Sequence, residues 1–365
     1  MSILIFIAVI VVLIVVHEFG HFVAAKWSGM RVDEFGLGFP PRAMVIAKKG
    51  ETLYTLNWLP FGGFVKIYGE NGEQEAGPRA FSSKNRFLQA LVLVAGIVMN
   101  LLFAYVLITG ALIVGTPRVL ESNEIAVAQN VELTIAKVLP NSPAAQAGLS
   151  PGDVILSAED GHYVFSGTDP SAFTKFVSDG GGNTTIALSV RHVNGEEGLL
   201  FARPIKDVIE SDPSRPALGI EVASVGVVQM PLGSALTEGA SLTFEVIKMT
   251  AVGLAHFFYG VFTLSADLSQ VSGPVGIAVV VGSASLQGVG YLFSIMAIIS
   301  ISLALINLIP IPALDGGRLL FVIIESIIRR PIKQGVSNAV NAVGFIFLIL
   351  LMLVVTVNDI FRIVG

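Results

Sequence analysis

Cysteine is absent from this chain of 365 residues. That excludes disulfides, thiolate-ligated zinc and a thiol nucleophile, and leaves the redox compartment unmarked. Charge is scarce too: Asp, Glu, Lys and Arg make up 13% of residues, against about 25% in an ordinary soluble domain. No basic tract is present and the net charge is −5, so nucleic acid is not expected as a partner. No Lys or Arg precedes the first apolar run, and no small-residue cleavage pattern follows it. A removable leader is therefore not expected. Histidine is limited to His17, His21, His162, His192 and His256.

Apolar residues are abundant. They make up 53% of the chain, with a mean hydropathy of +0.77, which reads as a polytopic α-helical membrane protein. Four runs approach the ~20 residues a bilayer needs: about 3–25, 87–114, 289–312 and 339–358. Lys and Arg number nine in 26–86, four in 313–338 and eight in the much longer 115–288. The positive-inside rule then places the first two segments in the cytoplasm and the long middle segment and both termini outside. Residues 225–288 include a long apolar stretch, 233–264, interrupted by Glu238, Glu245, Lys248 and His256. This reads as an interfacial helix rather than a fifth span.

His17-Glu18-Phe19-Gly20-His21 lies inside the first apolar run. On a helix His17 and His21 share one face and can hold one metal ion, with Glu18 beside them to activate a metal-bound water. Ionisable groups at membrane depth are costly and mark function by default. A catalytic zinc takes three protein ligands and keeps one open position. Asp315, at the end of Asn307-Leu-Ile-Pro-Ile-Pro-Ala-Leu-Asp315-Gly-Gly317, is the only acid between Asp267 and Glu325. It falls at the cytoplasmic end of its span. His21 precedes Lys26 by five residues, roughly 7–8 Å inside the same face. The matching depths make Asp315 the expected third ligand. Asn100 and Asn307 are polar groups within apolar spans, able to hold substrate or to join helices by hydrogen bonds.

Residues 122–224 read as a β-rich module of strand-like runs, with short helices near 142–148 and 171–177. Residues 51–68 alternate around Pro60 and Gly62-Gly63 and read as a hairpin. It is either packed on itself or dipping into the membrane to offer an edge to an extended substrate.

Taken in order, His17-Glu-Phe-Gly-His21, Gly36-Leu-Gly-Phe-Pro40, Phe61-Gly-Gly-Phe-Val65, Gly273-Pro-Val-Gly276 and Asn307-Leu-Ile-Pro…Leu314-Asp-Gly-Gly317 resemble the site-2 protease family. The resemblance covers essentially the whole chain. It implies a zinc-dependent intramembrane endopeptidase, one Zn2+ per chain, in the bacterial inner membrane. Its substrates would be single-span membrane proteins already cut by another protease, such as anti-sigma factors or remnant signal peptides. It further implies that 51–68 is a membrane-reentrant β-hairpin in which Phe61, Gly62, Gly63, Phe64 and Val65 bind substrate. The outward module, around Ser142–Asp153, resembles a PDZ domain inserted into the protease core. A non-catalytic PDZ-bearing receptor is the competing class, though it would predict a broken ligand set. A transporter would show an internal repeat, and none is visible. Two departures stand out: the chain has room for one PDZ-like module where two in tandem are known in the family, and the second span reads Ala95-Gly-Ile-Val-Met-Asn100 where Gly-Pro is expected before the Asn.

Overall fold

The computed structural model describes residues 2–70, 77–121, 124–125, 128–180, 184–193, 195–209, 212–263, 265 and 271–364. The chain divides into two units, Met1–Ile113 with Pro231–Gly365, and Val114–Met230.

The first unit begins with α1 (Ser2–Trp27), which is apolar on every face from Ile3 to Val16. Such a helix has no polar stripe for water and belongs in lipid or in a core. It stops at Gly29, which adopts left-handed backbone while the Met30 amide reaches back to the Ala25 carbonyl at 2.9 Å. That closure satisfies the last carbonyls of the helix. Strands β1 (Val32–Lys49) and β2 (Thr52–Ile67) follow and pair with each other. Their register doubles back, so that Glu34–Leu37 lies between Leu53–Leu56 on one side and Gly63–Lys66 on the other. The sheet thus starts at Val32, well before the hairpin at 51–68 expected from the sequence, and Gly36-Leu-Gly-Phe-Pro40 is strand. Gly36 is required there, because a Cβ would stand 2.4 Å from the Phe64 ring. Among the described residues, Gly63–Lys66 is paired on one side only and forms an edge.

Helix α2 (Arg86–Val114) is started by Asn85, whose side-chain oxygen accepts the Leu88 amide. It crosses α1 with backbones in contact: a Cβ on Gly20 would meet the Ala95 carbonyl oxygen at 2.4 Å. Between apolar helices in lipid there is little hydrophobic drive, so such small-residue contacts supply the association. The second unit is described below. The chain returns in α5 (Leu232–Thr263), α6 (Pro274–Leu286), α7 (Val289–Leu308), α8 (Asp315–Ile328) and α9 (Gln334–Val364). One apolar cluster joins α1, α2, α6 and α7 through Leu13, Ala104, Val281 and Ile301. A second joins the C-terminal end of α1 to the sheet, α2 and α8 through Ala25, Val32, Val92 and Val322. Helices α1, α2, α5, α7 and α9 are each long and apolar enough to cross a membrane. Four coincide with the expected spans. The fifth, α5, is the stretch expected to lie at the interface.

The second unit is a seven-stranded sheet of β3 (Thr116–Val119), β4 (Gln129–Val138), β5 (Val154–Glu159), β6 (Val164–Phe165), β7 (Ile186–Arg191), β8 (Glu197–Ala202) and β9 (Ile220–Val228). Its order is β3-β9-β4-β5-β7-β8, with β6 beside β5. In β7, Ile186, Leu188 and Val190 alternate inward, as a pleated strand with one covered face demands. They pack with Leu133, Ile135 and Leu218 under α3 (Pro143–Gln146) and α4 (Pro170–Asp179), which contributes Phe173. Both helices start with a side-chain oxygen, from Ser142 and Asp169, accepting an amide of the first turn, followed by proline. This is the expected helix-start chemistry.

Candidate metal centre

Helix α1 brings His17 and His21 to one face, and α2 shapes the space they occupy. His21 donates its Nδ1 proton to the Val92 carbonyl at 2.8 Å. A carbonyl can only accept, so the tautomer is determined and Nε2 is left as a free lone pair. Gly96 lies one turn further along α2. A Cβ there would be 2.4 Å from Nε2 of His21 and 2.9 Å from Cε1 of His17. The absent side chain is the room in which the two rings meet.

Asp315 arrives from the far end of the sequence as the first residue of α8. Its turn is made by close backbone packing. A Cβ on Gly316 would meet the Ile309 carbonyl oxygen at 2.3 Å, and one on Gly317 the Ile311 oxygen at 2.3 Å. Ala313 holds a left-handed backbone (φ 79°) and donates its amide to the Asn341 side chain of α9 at 3.3 Å. A few kcal/mol of such strain survives only where the surroundings over-determine it. Here α9 does so again through Gly344, packed on Pro312.

These elements converge on three atoms. Nε2 of His17 is 2.9 Å from Oδ2 of Asp315, Nε2 of His21 is 3.1 Å from the same oxygen, and the two nitrogens are 3.1 Å apart. Tetrahedral zinc with ligand bonds near 2.0–2.1 Å would space its ligands by roughly 3.3 Å. The near-equilateral triangle would match one face of that tetrahedron, slightly contracted. Two imidazoles and one carboxylate are a donor set proper to catalytic zinc. The residues fit the ion. Among the described residues this is the cluster of His, Asp or Glu arranged to hold a metal.

A cavity of about 440 Å³ opens beside the triangle. Its wall includes Glu18, Asn100, Asn307, Ala313 and both Gly62 and Gly63 of the edge segment. A Cβ on Gly63 would be 3.6 Å from Cγ of Glu18, so the sheet edge runs alongside Glu18. Of the residues singled out in the sequence, His17, Glu18, His21, Asn100, Asn307, Gly62, Gly63 and Asp315 are therefore brought together. Phe64 instead lies over Gly36, and Val65 packs into the apolar cluster that includes Ala25 and Val92. The side chain of Phe61 lies outside the described residues. Gly96, Asn341 and Gly344 were not foreseen. The signal available was spacing alone, since Gly96 stands four residues before Asn100.

Two histidines and an aspartate placed to hold one metal ion, with a glutamate beside them among membrane-length helices, are the arrangement expected of a membrane-embedded metallohydrolase. The chain belongs to peptidase family M50, the site-2 proteases, whose family model matches residues 5–351. Relatives named "Putative zinc metalloprotease" align along nearly its whole length. One from Clostridium perfringens is 34% identical over 349 residues, covering 95% of each chain. One from Nostoc is 34% identical over 357 residues, covering 96% of this chain and 93% of its own. A third from Fusobacterium nucleatum is 31% identical over 362 residues, covering 99% of each. The protein is accordingly a zinc metalloprotease and a multi-pass membrane protein.

Proposed function

We propose that the chain hydrolyses peptide bonds within or near the transmembrane segments of single-span membrane proteins, with His17, His21 and Asp315 holding zinc and Glu18 acting as base. The observation that carries this reading is the shared cavity, in which the donor triangle, Glu18 and an unpaired sheet edge face one space. Bound there, zinc supplies Lewis acidity that lowers the pKa of water and polarises a carbonyl. Glu18 takes the proton of the attacking water and returns it to the leaving amine. A substrate helix must unwind to be cut. Its exposed amides and carbonyls then need partners at a depth where water is lacking. The edge at Gly62-Gly63 offers them by strand addition. The two glycines keep side chains out of the gap between strand and base. Asn307, half-buried on α7 at the cavity wall, holds the substrate backbone or the developing oxyanion.

In the same reading α1, α2, α7 and α9 cross the bacterial inner membrane, while α5, interrupted by Glu238, Glu245 and Lys248, lies at the outer interface. The sheet of β1 and β2 dips in from the cytoplasmic side. The Val114–Met230 unit is a PDZ-like module outside, and substrates arrive already trimmed by another protease.

The test compares the purified protein with Glu18→Gln and Asp315→Asn in liposomes bearing a tagged single-span substrate, counting zinc in each. Glu18→Gln should retain zinc and lose about 10²- to 10⁴-fold in rate. Asp315→Asn should lose zinc. A folded, zinc-loaded wild type that cuts no trimmed single-span substrate would overturn the assignment.

A further inference from the structure

Asn100 is completely enclosed on α2. Its Nδ2 stands 3.4 Å from Nδ1 of His17, while its Oδ1, also enclosed, has no hydrogen-bond partner. A buried acceptor without a donor costs about 1–3 kcal/mol, so the oxygen calls for an explanation. The oxygen and nitrogen of an amide are told apart only by their partners, and here the partner is a histidine with a second obligation. Nε2 of His17 is the atom that meets Asp315 and His21. When that nitrogen lends its lone pair to a metal, the neutral ring carries its proton on Nδ1. Nδ1 then requires an acceptor. Among the described residues, the Asn100 amide is the group within hydrogen-bonding reach of it.

We propose that Asn100 turns its Oδ1 toward Nδ1 of His17 and, by accepting that proton, positions the ring as a zinc ligand; the inference rests on the zinc reading of the site. One exchange of the amide's ends gives the orphaned oxygen a donor and gives His17 the counterpart of the Val92 carbonyl that orients His21. The rest of the residue is already held in place. Ser300 on α7 donates its hydroxyl to the Asn100 backbone carbonyl at 2.8 Å, one contact among those of the enclosing helices and one in which the amide takes no part. Asn100 is thus a positioning residue for His17 rather than a group that grips substrate. Acceptors behind metal-bound histidines set ligand basicity and orientation, and losing one typically costs 10- to 100-fold in metal affinity.

The test measures zinc dissociation constants of the full-length protein in detergent, by competition with a chelator. The variants are Asn100→Leu, close in shape but without an acceptor, Asn100→Asp, which keeps an acceptor, and Ser300→Ala, which removes only the backbone tether. Expected are a 10- to 100-fold loss for Asn100→Leu, affinity within about three-fold of wild type for Asn100→Asp, and no change for Ser300→Ala. Asn100→Ala gives the same reading if the leucine variant fails to fold. The proposal is overturned if Asn100→Leu binds zinc like wild type. It is also overturned if Asn100→Asp is as weak as Asn100→Leu, or if Ser300→Ala is as damaging, since packing would then explain the loss. A wild type that binds no zinc overturns the underlying metal reading, and is told apart because every variant then reads the same.

Discussion

Replacing Gly96 by alanine adds one methyl group at the point where the two histidine rings meet. Its carbon would lie 2.4 Å from Nε2 of His21, whereas unbonded heavy atoms rest at about 3.5 Å. The ring must therefore retreat by roughly 1 Å. Metal–ligand distances tolerate about 0.2 Å, so His21 is lost as a ligand. Zinc bound through four donors is worth about 10–16 kcal/mol. One donor in four is then about 2.5–4 kcal/mol, or on the order of 10²- to 10³-fold in affinity. The fold should suffer far less. Overpacking costs about 1–3 kcal/mol, and alanine returns about 1 kcal/mol of helix propensity over glycine. The net destabilisation is about 0–2 kcal/mol. Chelator competition on purified Gly96→Ala, beside thermal unfolding of the zinc-free protein, separates the two effects. Gly253→Ala on α5 is the control, because nothing lies within 4 Å of its would-be Cβ. It should be neutral or slightly stabilising and leave zinc binding alone. Zinc affinity of Gly96→Ala within three-fold of wild type, with normal unfolding, would refute the steric argument.

Phe173→Ala, in the enclosed core of the Val114–Met230 unit, should cost about 3–5 kcal/mol, read as a lowered unfolding temperature with zinc affinity unchanged. Arg86 and Glu325 pair at 2.7 Å between α2 and α8, partly exposed. A double-mutant cycle should give about 0.5–1 kcal/mol of coupling that fades with added salt, and zero coupling at low salt would contradict it. Asp160 accepts the Tyr163 and His162 amides in an exposed turn, which hold its carboxyl below the usual range. Its stabilising effect is complete above the unfolded carboxylate value near pH 4 and is lost as pH falls through the lower folded value. The unfolding temperatures of wild type and Asp160→Asn should therefore converge on acidification below pH 4. A difference that does not depend on pH would count against the amide contacts.

The donor triangle was legible because two independent sequence signals point at it. Histidines at i and i+4 declare a shared helix face. Asp315 is isolated in an apolar region at a depth that can be counted from the nearest cations. Strand β1 was not legible, since Gly36, Gly38, Pro40 and Pro41 break any local alternation. Its strand character comes from Leu53–Leu56 and Gly63–Lys66 on either side, and a register that doubles back leaves no local periodicity. Gly96 was opaque for the opposite reason: a glycine records only the absence of a side chain, and what fills the space is named by a partner helix. Asn100 was visible as a polar group out of place, but its neighbour could not be read, because spacing within α2 carries no information on the rotation of α1. Along α5, length and apolarity point one way and its charges another, and composition alone does not rank them.

The triangle draws its corners from widely separated parts of the sequence: His17 and His21 from α1, Asp315 about three hundred residues later. At about 5–20 residues per second, translation needs roughly 15–60 s to deliver the carboxylate after the histidines. During that interval the emerging chain holds two of the three donors and an unfinished cavity. If Asp315 is the third ligand as proposed, a nascent chain of this protease is harmless to its neighbours until Asp315 has been made. Ribosome-stalled chains ending before Asp315 should hold zinc weakly and cut nothing, while the released full-length chain should bind zinc tightly and cut substrate.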